Sequence, residues 1–259
     1  MWRLGLFWAA CFASISAVQA QEASSLDWSG LHVSGLVGAT RADSDAGVTS
    51  VSPNYFTNQD FWQFPRDGSV DMAKWRGTGS LQAGFSRQFG NIVLGLDASA
   101  DALMLDMDQT VSFVPLSSPL VTSTIRHEIE ADWMAALRPR LGWAQGRWHI
   151  YGTGGPAVAR LKVTSTYSDT VFAGGVLGAG GRNTTTETKI GWIAGVGGEY
   201  ALDQNWALNM QFLHTDFGHV RNSTYVAHTG NGQSSEMRTE ADLRVSSVML
   251  GLTYRFTGF

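Results

Sequence analysis

The sequence predicts an all-β protein, namely an eight-stranded, antiparallel, up-and-down transmembrane β-barrel with long external loops and short periplasmic turns. Three observations predict it. Apolar and polar residues alternate with period two in eight segments, the connections between the segments alternate between long and short, and aromatic residues concentrate beside the short connections. The 30 Gly, 10 Trp and mean hydropathy of −0.06 agree, because lipid-facing and lumen-facing side chains cancel in such an average.

Residues 1–20 are predicted to be a cleaved signal peptide, and residues 21–259 to form one barrel domain. Arg3 precedes an apolar run, and Val18-Gln-Ala20 places small residues where a signal peptidase cuts. The one cysteine of the sequence, Cys11, lies in this segment, where it matches a lipoprotein box poorly. The mature chain would therefore have no disulfide to hold it.

Composition excludes several classes of protein. No run of about 18 apolar residues follows the signal, so no transmembrane helix is predicted. The net charge of −4, without a basic run, argues against nucleic acid as a partner.

The eight predicted strands follow from alternation of side-chain type along the chain. In the last strand, Val248, Leu250 and Leu252 lie on the lipid face, whereas Thr253 and Arg255 lie on the lumen face. We expect this strand to pair with the first and close the barrel. The strands are predicted at about residues 28–41, 80–89, 94–101, 126–143, 148–164, 192–200, 206–215 and 245–256.

Connection length supports a barrel over a soluble sandwich. Short turns are predicted at Gly90-Asn91, Gln145-Gly146 and 203–205, and long connections at 42–74, around 114–119, at 165–186 and at 219–236. Outer-membrane barrels sort their loops in this way, with short turns at the periplasmic end. Two packed sheets would have little reason to do so.

Aromatic residues beside the short turns and the chain ends predict a membrane-interface girdle, since their rings favour the head-group level. Within one strand, Trp133 and Trp143 share a face and are roughly 23 Å apart along the membrane normal at a tilt of about 45°. This spacing suits an apolar band of ~25 Å. The predicted girdle comprises Trp28, Trp143, Trp148, Tyr200, Trp206, Tyr254 and Phe256.

The predicted lumen faces collect charged residues. Eight strands enclose space just wide enough for side chains, so opposite charges there should pair. The network would be either a permanent plug that fixes strand register or a gate in a narrow ion path; a filled interior favours the plug. Its predicted members are Asp97, Asp101, Asp132, Arg138, Arg140, Glu199 and Arg255, with Glu128 and Glu130 beside them.

No catalytic, cofactor or metal site is predicted, and the chain is not expected to be an enzyme. A lipid-modifying enzyme would need Ser, His and an acid converging on the outer wall. His214 and Asp216 share the outward face of a strand, but spacing fixes no serine beside them. The other histidines have no metal-ligand spacing.

Proline interrupts the predicted strands at one notable place. Pro139 lies in mid-strand, where a barrel needs a ladder hydrogen bond. It predicts either a bulge or a shorter strand, and Pro156 raises the same question in the next strand.

Several segments resemble the small alphaproteobacterial outer-membrane surface proteins known as porin-family or outer-membrane beta-barrel proteins. The resemblance covers nearly all of the mature chain and is strongest after Gly191. Pro139 and the extension Thr257-Gly-Phe259 depart from the family pattern. The matching segments are residues 27–38, 138–143, 191–202, 205–206, 212–218 and 254–256.

The resemblance implies an eight-stranded barrel in the bacterial outer membrane, inserted by the barrel assembly machinery. It implies no agreed chemistry, because members are described as surface antigens, envelope-stabilising proteins or weak pores. We expect a structural or surface-exposed protein that contacts outer-membrane lipid and lipopolysaccharide, and whose external loops meet an unidentified ligand or host partner. The alternatives are a narrow non-specific channel and a lipid-modifying enzyme.

Overall fold

Long antiparallel strands dominate the computed structural model, which describes residues 26–51 and 54–256. The predicted signal peptide lies outside the described residues. The elements are β1 (Gly30–Ser50), α1 (Asn58–Asp67), β2 (Val70–Phe89), β3 (Ile92–Phe113), β4 (Ser123–Gln145), β5 (Trp148–Asp169), β6 (Phe172–Ala173), β7 (Val176–Leu177), β8 (Gly180–Ala201), β9 (Trp206–His228) and β10 (Gln233–Arg255).

Eight of these strands close into a barrel, as predicted. Their order around the wall is β1-β10-β9-β8-β5-β4-β3-β2, and every neighbouring pair is antiparallel. The predicted closure is confirmed, because β1 pairs with β10 from His32↔Arg255 to Ala39↔Val248 and beyond. The short turns predicted after β2, β4 and β8 are confirmed too. No helix among the described residues is long and apolar enough to cross a membrane.

The strands extend much farther toward the external end than the alternation predicted. Each barrel strand has 20 to 23 residues. At ~3.3 Å per residue and a tilt near 45° the wall is roughly 50 Å tall, about twice the apolar band of a membrane. Much of the predicted loops is therefore strand; β9 and β10, for example, are joined by residues 229–232 rather than by 219–236.

Two seams divide the wall above the membrane band. Pairing between β2 and β3 ends at Gly79↔Ala102, and continuous pairing between β8 and β9 ends at Trp192↔Asp216. Above these points the described residues form two four-stranded sheets, β9-β10-β1-β2 and β3-β4-β5-β8. A bulge lies at the same level in β3, where Met104 has a φ of 48°.

The side-chain pattern inverts at this level. Below it the outward residues are mostly apolar and the lumen is polar; above it the outward residues are mostly polar and the interior is mostly apolar, with buried Ser44, Thr164 and Asn222 among the exceptions. The reason is the solvent, because the wall above the band faces water and its apolar face must turn inward. The sheets therefore enclose a hydrophobic core that includes Met72, Leu105, Leu161, Phe217 and Leu243.

Neither proline ends its strand. Pro139 pairs with Leu96 on the β3 side, but no register pairs join β4 and β5 between Ala136↔Ala157 and Arg140↔Thr153 in the described chain. The Thr153 hydroxyl donates to the Pro139 carbonyl at 3.0 Å. The missing ladder bonds are thus tolerated without the predicted bulge at Pro139.

Candidate functional site

Glu199 is the centre of a charge network in the lower lumen, 1% exposed. Its Oε1 accepts hydrogen bonds from Arg140 Nη1 and Asn209 Nδ2, both at 3.2 Å. Its Oε2 lies 3.2 Å from His149 Nδ1 and 4.0 Å from Arg255 Nη2. Four neighbours from four other strands thus converge on one carboxylate, which compensates its burial.

A second buried carboxylate extends this network across the lumen. Asp97 Oδ1 lies 2.8 Å from His32 Nε2, and its Oδ2 lies 3.7 Å from Arg140 Nη1. Gly84 makes room for this pair, because a Cβ there would overlap both the Asp97 carboxylate and the His32 ring. In the same way, Gly197 makes room for the Tyr151 ring. Glycines on the lumen face of the predicted strands are thus the feature of the sequence that indicates where large lumen side chains pack.

Trp28 closes the lower end of the lumen. It is 2% exposed, its ring lies 5.0 Å from that of His149, and the Arg255 guanidinium lies 4.2 Å above it. The prediction that Trp28 belongs to the girdle is wrong. Trp28 lies before the first residue of β1, Gly30, whose φ is 122°. Strand alternation therefore does not govern the direction of the Trp28 side chain.

The middle of the lumen is filled by polar side chains with fewer ion pairs. Gln82 and Gln211 exchange amide hydrogen bonds at 3.2 and 3.0 Å. Arg138 is 1% exposed, reaches Gln211 Oε1 at 3.5 Å, and among the described residues has no carboxylate within salt-bridge distance. Asp101 is also buried and accepts from Ser99 at 3.1 Å. Arg138 and Asp101 are both members of the lumen charge network predicted from the sequence.

Asp132 does not lie in the lumen, and that prediction is wrong. A bulge between Ala131 and Met134 leaves both Asp132 and Trp133 exposed on the outer wall. Above the bulge the inward parity of β4 is reversed. Glu128 and Glu130 therefore also face outward, where they pair with basic side chains of β4, β5 and β8.

The other predicted girdle residues ring the lower end of the outer wall. Trp148 and Tyr200 have ring centroids 4.7 Å apart, and Trp206 and Tyr254 5.0 Å apart. Trp143 is 56% exposed on the same wall. The remaining member, Phe256, packs edge-on against Tyr254 at 5.0 Å.

The connection between β1 and β2 closes the external end. Within it, α1 begins at a capping box formed by Thr57 and Asp60. Phe64 is 1% exposed and packs with Phe56 at 4.7 Å. The Ser235 hydroxyl on β10 accepts the backbone N–H groups of residues 54, 55 and 56 at 3.3, 2.8 and 3.0 Å. We call this segment, residues 54–68, the plug.

Among the described residues, the outer wall holds a Ser–His pair that spacing along the chain did not predict. β9 pairs His214 with Ser246 of β10, and Nδ1 lies 2.9 Å from Oγ. The Trp192 ring lies 5.7 Å away. Asp216 accepts from the Gly218 N–H at 2.7 Å, and no carboxylate in the described chain hydrogen-bonds to His214.

No group of three His, Cys, Asp or Glu residues in residues 26–51 and 54–256 is placed to hold a metal ion. The arrangement as a whole is that of a filled tube. The lower lumen holds the charge network, the upper interior holds the hydrophobic core, and the plug covers the external end.

Known proteins resemble this chain over most of its length. The family model described as the outer membrane protein beta-barrel domain matches residues 10–256. The 31 kDa outer-membrane immunogenic proteins of Brucella melitensis and Brucella suis are each 29% identical over 191 residues, which cover 73% of this chain and 70% of the relative.

Solved outer-membrane proteins align with the chain at low identity. OprG from Pseudomonas aeruginosa has a TM-score of 0.47 at 13% identity and covers 90% of this chain and 99% of its own. The protease OmpT from Escherichia coli has a TM-score of 0.43 at 9% identity, with coverages of 88% and 97%. Neither likeness carries an argument about function.

Proposed function

Because the chain belongs to the outer membrane protein beta-barrel family, we propose that it is a closed, non-enzymatic surface protein of the bacterial outer membrane. It supports the envelope as a rigid packed wall and interacts with its surroundings through the plug and the external connections. Its insertion by the barrel assembly machinery is part of the proposal.

The filled interior is the observation that carries this proposal. Glu199, Arg140 and Arg255 fill the lower lumen with paired charge, polar side chains such as Gln82 and Gln211 fill its middle, and the hydrophobic core lies above them. A narrow channel would need a continuous polar path, which an apolar core interrupts. The packed wall therefore favours support and display over transport.

The outer wall above the girdle supports contact with lipopolysaccharide. Arginine side chains point outward above the membrane band, five of the six in ion pairs with neighbouring carboxylates. Guanidinium groups bind phosphate through charge-assisted hydrogen bonds. The exposed members are Arg41, Arg126, Arg160, Arg182, Arg221 and Arg244.

Surface labelling of cysteine variants tests the display function. Leu120 is 99% exposed in the connection between β3 and β4, and Arg147 is exposed in the turn between β4 and β5. We expect a membrane-impermeant maleimide to label Leu120→Cys in intact cells, and Arg147→Cys only after lysis. The unsubstituted chain is the blank. Labelling of Arg147→Cys alone in intact cells would overturn the proposed orientation.

The Ser246–His214 pair is the observation that bears on the alternative function, lipid-ester cleavage. A serine nucleophile needs a base held by a third group and donors for the oxyanion. His214 has its serine but no carboxylate partner among the described residues, so we expect no activity. Lipid analysis of cells that overproduce the protein, Ser246→Ala or Ser112→Ala checks this. Ser112 is the control, since its hydroxyl pairs with Thr124 at 2.9 Å. A lipid change lost only in Ser246→Ala would establish the enzyme.

A further inference from the structure

A cavity of about 190 Å³ lies at the external mouth, between the plug and the wall. The plug, the β3–β4 connection, the end of β5 and the β9–β10 turn all contribute to its lining. It is smaller than the roughly 300–1,000 Å³ pockets that hold drug-sized ligands. It therefore suits a small molecule or a single chemical group.

Aromatic side chains form much of the cavity lining. Tyr55, Phe56, Phe64 and Tyr167 all line it. Phe56 packs edge-on against Tyr167 at 5.3 Å, which fixes both rings. Aromatic ring faces carry partial negative charge and attract cations, quaternary ammonium groups above all.

Two carboxylates in the lining have no cationic partner among the described residues. Asp169 accepts hydrogen bonds from Tyr55 Oη at 2.6 Å and Tyr167 Oη at 3.1 Å, and from two backbone N–H groups. Asp60, 4% exposed, accepts from Ser117 Oγ at 2.9 Å and from Thr57. The N-terminus of α1 offsets part of one charge.

The electrostatic potential in the cavity is therefore negative. No lysine or arginine of the described chain lines the cavity. Burial and the neighbouring Asp169 raise the pKa of Tyr55, and burial raises the pKa of Tyr167. Further negative charge is thus disfavoured, and phosphate or sulfate ligands do not suit the site.

We propose that this cavity binds a small organic cation, an alkylammonium group of the size of choline. The inference rests on the proposed surface function and specifies its ligand. The rings would contact the methyl groups, and the two carboxylates would supply the countercharge. A metal ion suits the site less well, because both carboxylates already accept several hydrogen bonds and the described residues supply no third acid or histidine.

Matched ligands test the charge requirement directly. The refolded mature chain, residues 21–259, in tetraethylene glycol monooctyl ether micelles is titrated calorimetrically with choline and with 3,3-dimethylbutan-1-ol, its neutral isostere. We expect saturable choline binding, and binding of the isostere at least about tenfold weaker. The proposal would be overturned by equal binding of choline and the isostere, or by no binding of choline. Tighter binding of the uncharged sugar glucose than of choline would also overturn it.

Phosphocholine distinguishes the sources of the cation. Weaker binding of phosphocholine than of choline supports a free cation. Equal binding supports an ammonium group carried on a larger surface molecule. Both results agree with the proposed chemistry.

Variants test the location. Asp169→Asn keeps the shape of the side chain and removes its charge; the Tyr55 and Tyr167 hydroxyls can turn to accept from the new NH₂ group, and we expect choline binding to weaken about tenfold. Tyr55→Leu removes a ring while keeping both charges, and should weaken choline more than the isostere. Asp67→Asn is the control, because Asp67 pairs with Arg66 outside the cavity. Unchanged choline affinity in both cavity variants, with the heat-modifiable gel shift retained, would refute the site.

The proposed surface function and the proposed cation site can be refuted independently of each other. Labelling of Leu120→Cys in intact cells without choline binding would overturn the ligand and leave the surface function standing.

Discussion

Replacing Arg140 by methionine should destabilise the barrel more than any single change on its outer wall. Arg140 is 5% exposed and donates to Ser86 Oγ at 2.7 Å and to Glu199 at 3.2 Å, with Asp97 at 3.7 Å. Its loss leaves two buried carboxylates under-compensated. Removal of one partner from a buried ion pair costs about 3–5 kcal/mol. The flexible methionine fills part of the space, so we expect about 3 kcal/mol.

Urea unfolding of the protein in lipid vesicles, followed by tryptophan fluorescence, measures this cost. Arg147→Met is the control, because Arg147 is exposed at a periplasmic turn and should change stability by less than about 0.5 kcal/mol. In a double-mutant cycle that combines Arg140→Met with Glu199→Gln, we expect a coupling energy of about 0.5–3 kcal/mol. Additive effects of Arg140→Met and Glu199→Gln, or a cost equal to that of the control, would refute the pairing of charges in the lumen network.

Two further predictions concern the upper barrel. Ser235→Ala removes the acceptor of three plug N–H groups, so hydrogen exchange at residues 54–56 should accelerate at least tenfold, whereas exposed Ser234→Ala should leave it unchanged. Burial lowers the pKa of His127, which lies 3.4 Å from the Gly68 carbonyl. The unfolded chain therefore binds more protons below pH ~6.5, and stability should fall as the pH drops through that value. His127→Gln should flatten this slope in urea titrations; an unchanged slope would assign it to other groups.

The membrane half of the barrel was predictable from the sequence because its constraints are local. Lipid outside and a narrow polar lumen inside impose period-two alternation, so Val248 to Leu252 and Asp97 could be assigned to faces residue by residue. The lumen positions of Arg138 and Arg140 followed from the same parity.

The predictions of side-chain direction are wrong where the alternation of faces along a strand is interrupted or has not yet begun. Alternation predicts an inward Asp132, but the bulge in β4 reverses the faces, and a bulge has no reliable signature in side-chain type. Alternation also predicts an outward Trp28, which lies before the strand begins. It does not predict the upper strands, because their outward residues face water and their inward residues include the small Ala42 and Ala46.

The pairing of His214 with Ser246 depends on register between two strands. Each residue alone shows a side-chain face, but not which residue of the neighbouring strand it meets. The external cavity has the same origin, because Tyr55, Asp60 and Asp169 come together only when the plug docks.

Single-channel recording in planar bilayers tests whether the interior is closed along its length. We expect no conductance above the lipid baseline for the unsubstituted protein, under conditions in which a known outer-membrane pore opens. A variant with α1 (Asn58–Asp67) replaced by a short Gly-Ser linker should also be silent, because the hydrophobic core and the Glu199 network lie below the plug. Regular current steps from the unsubstituted protein would show that the interior is open.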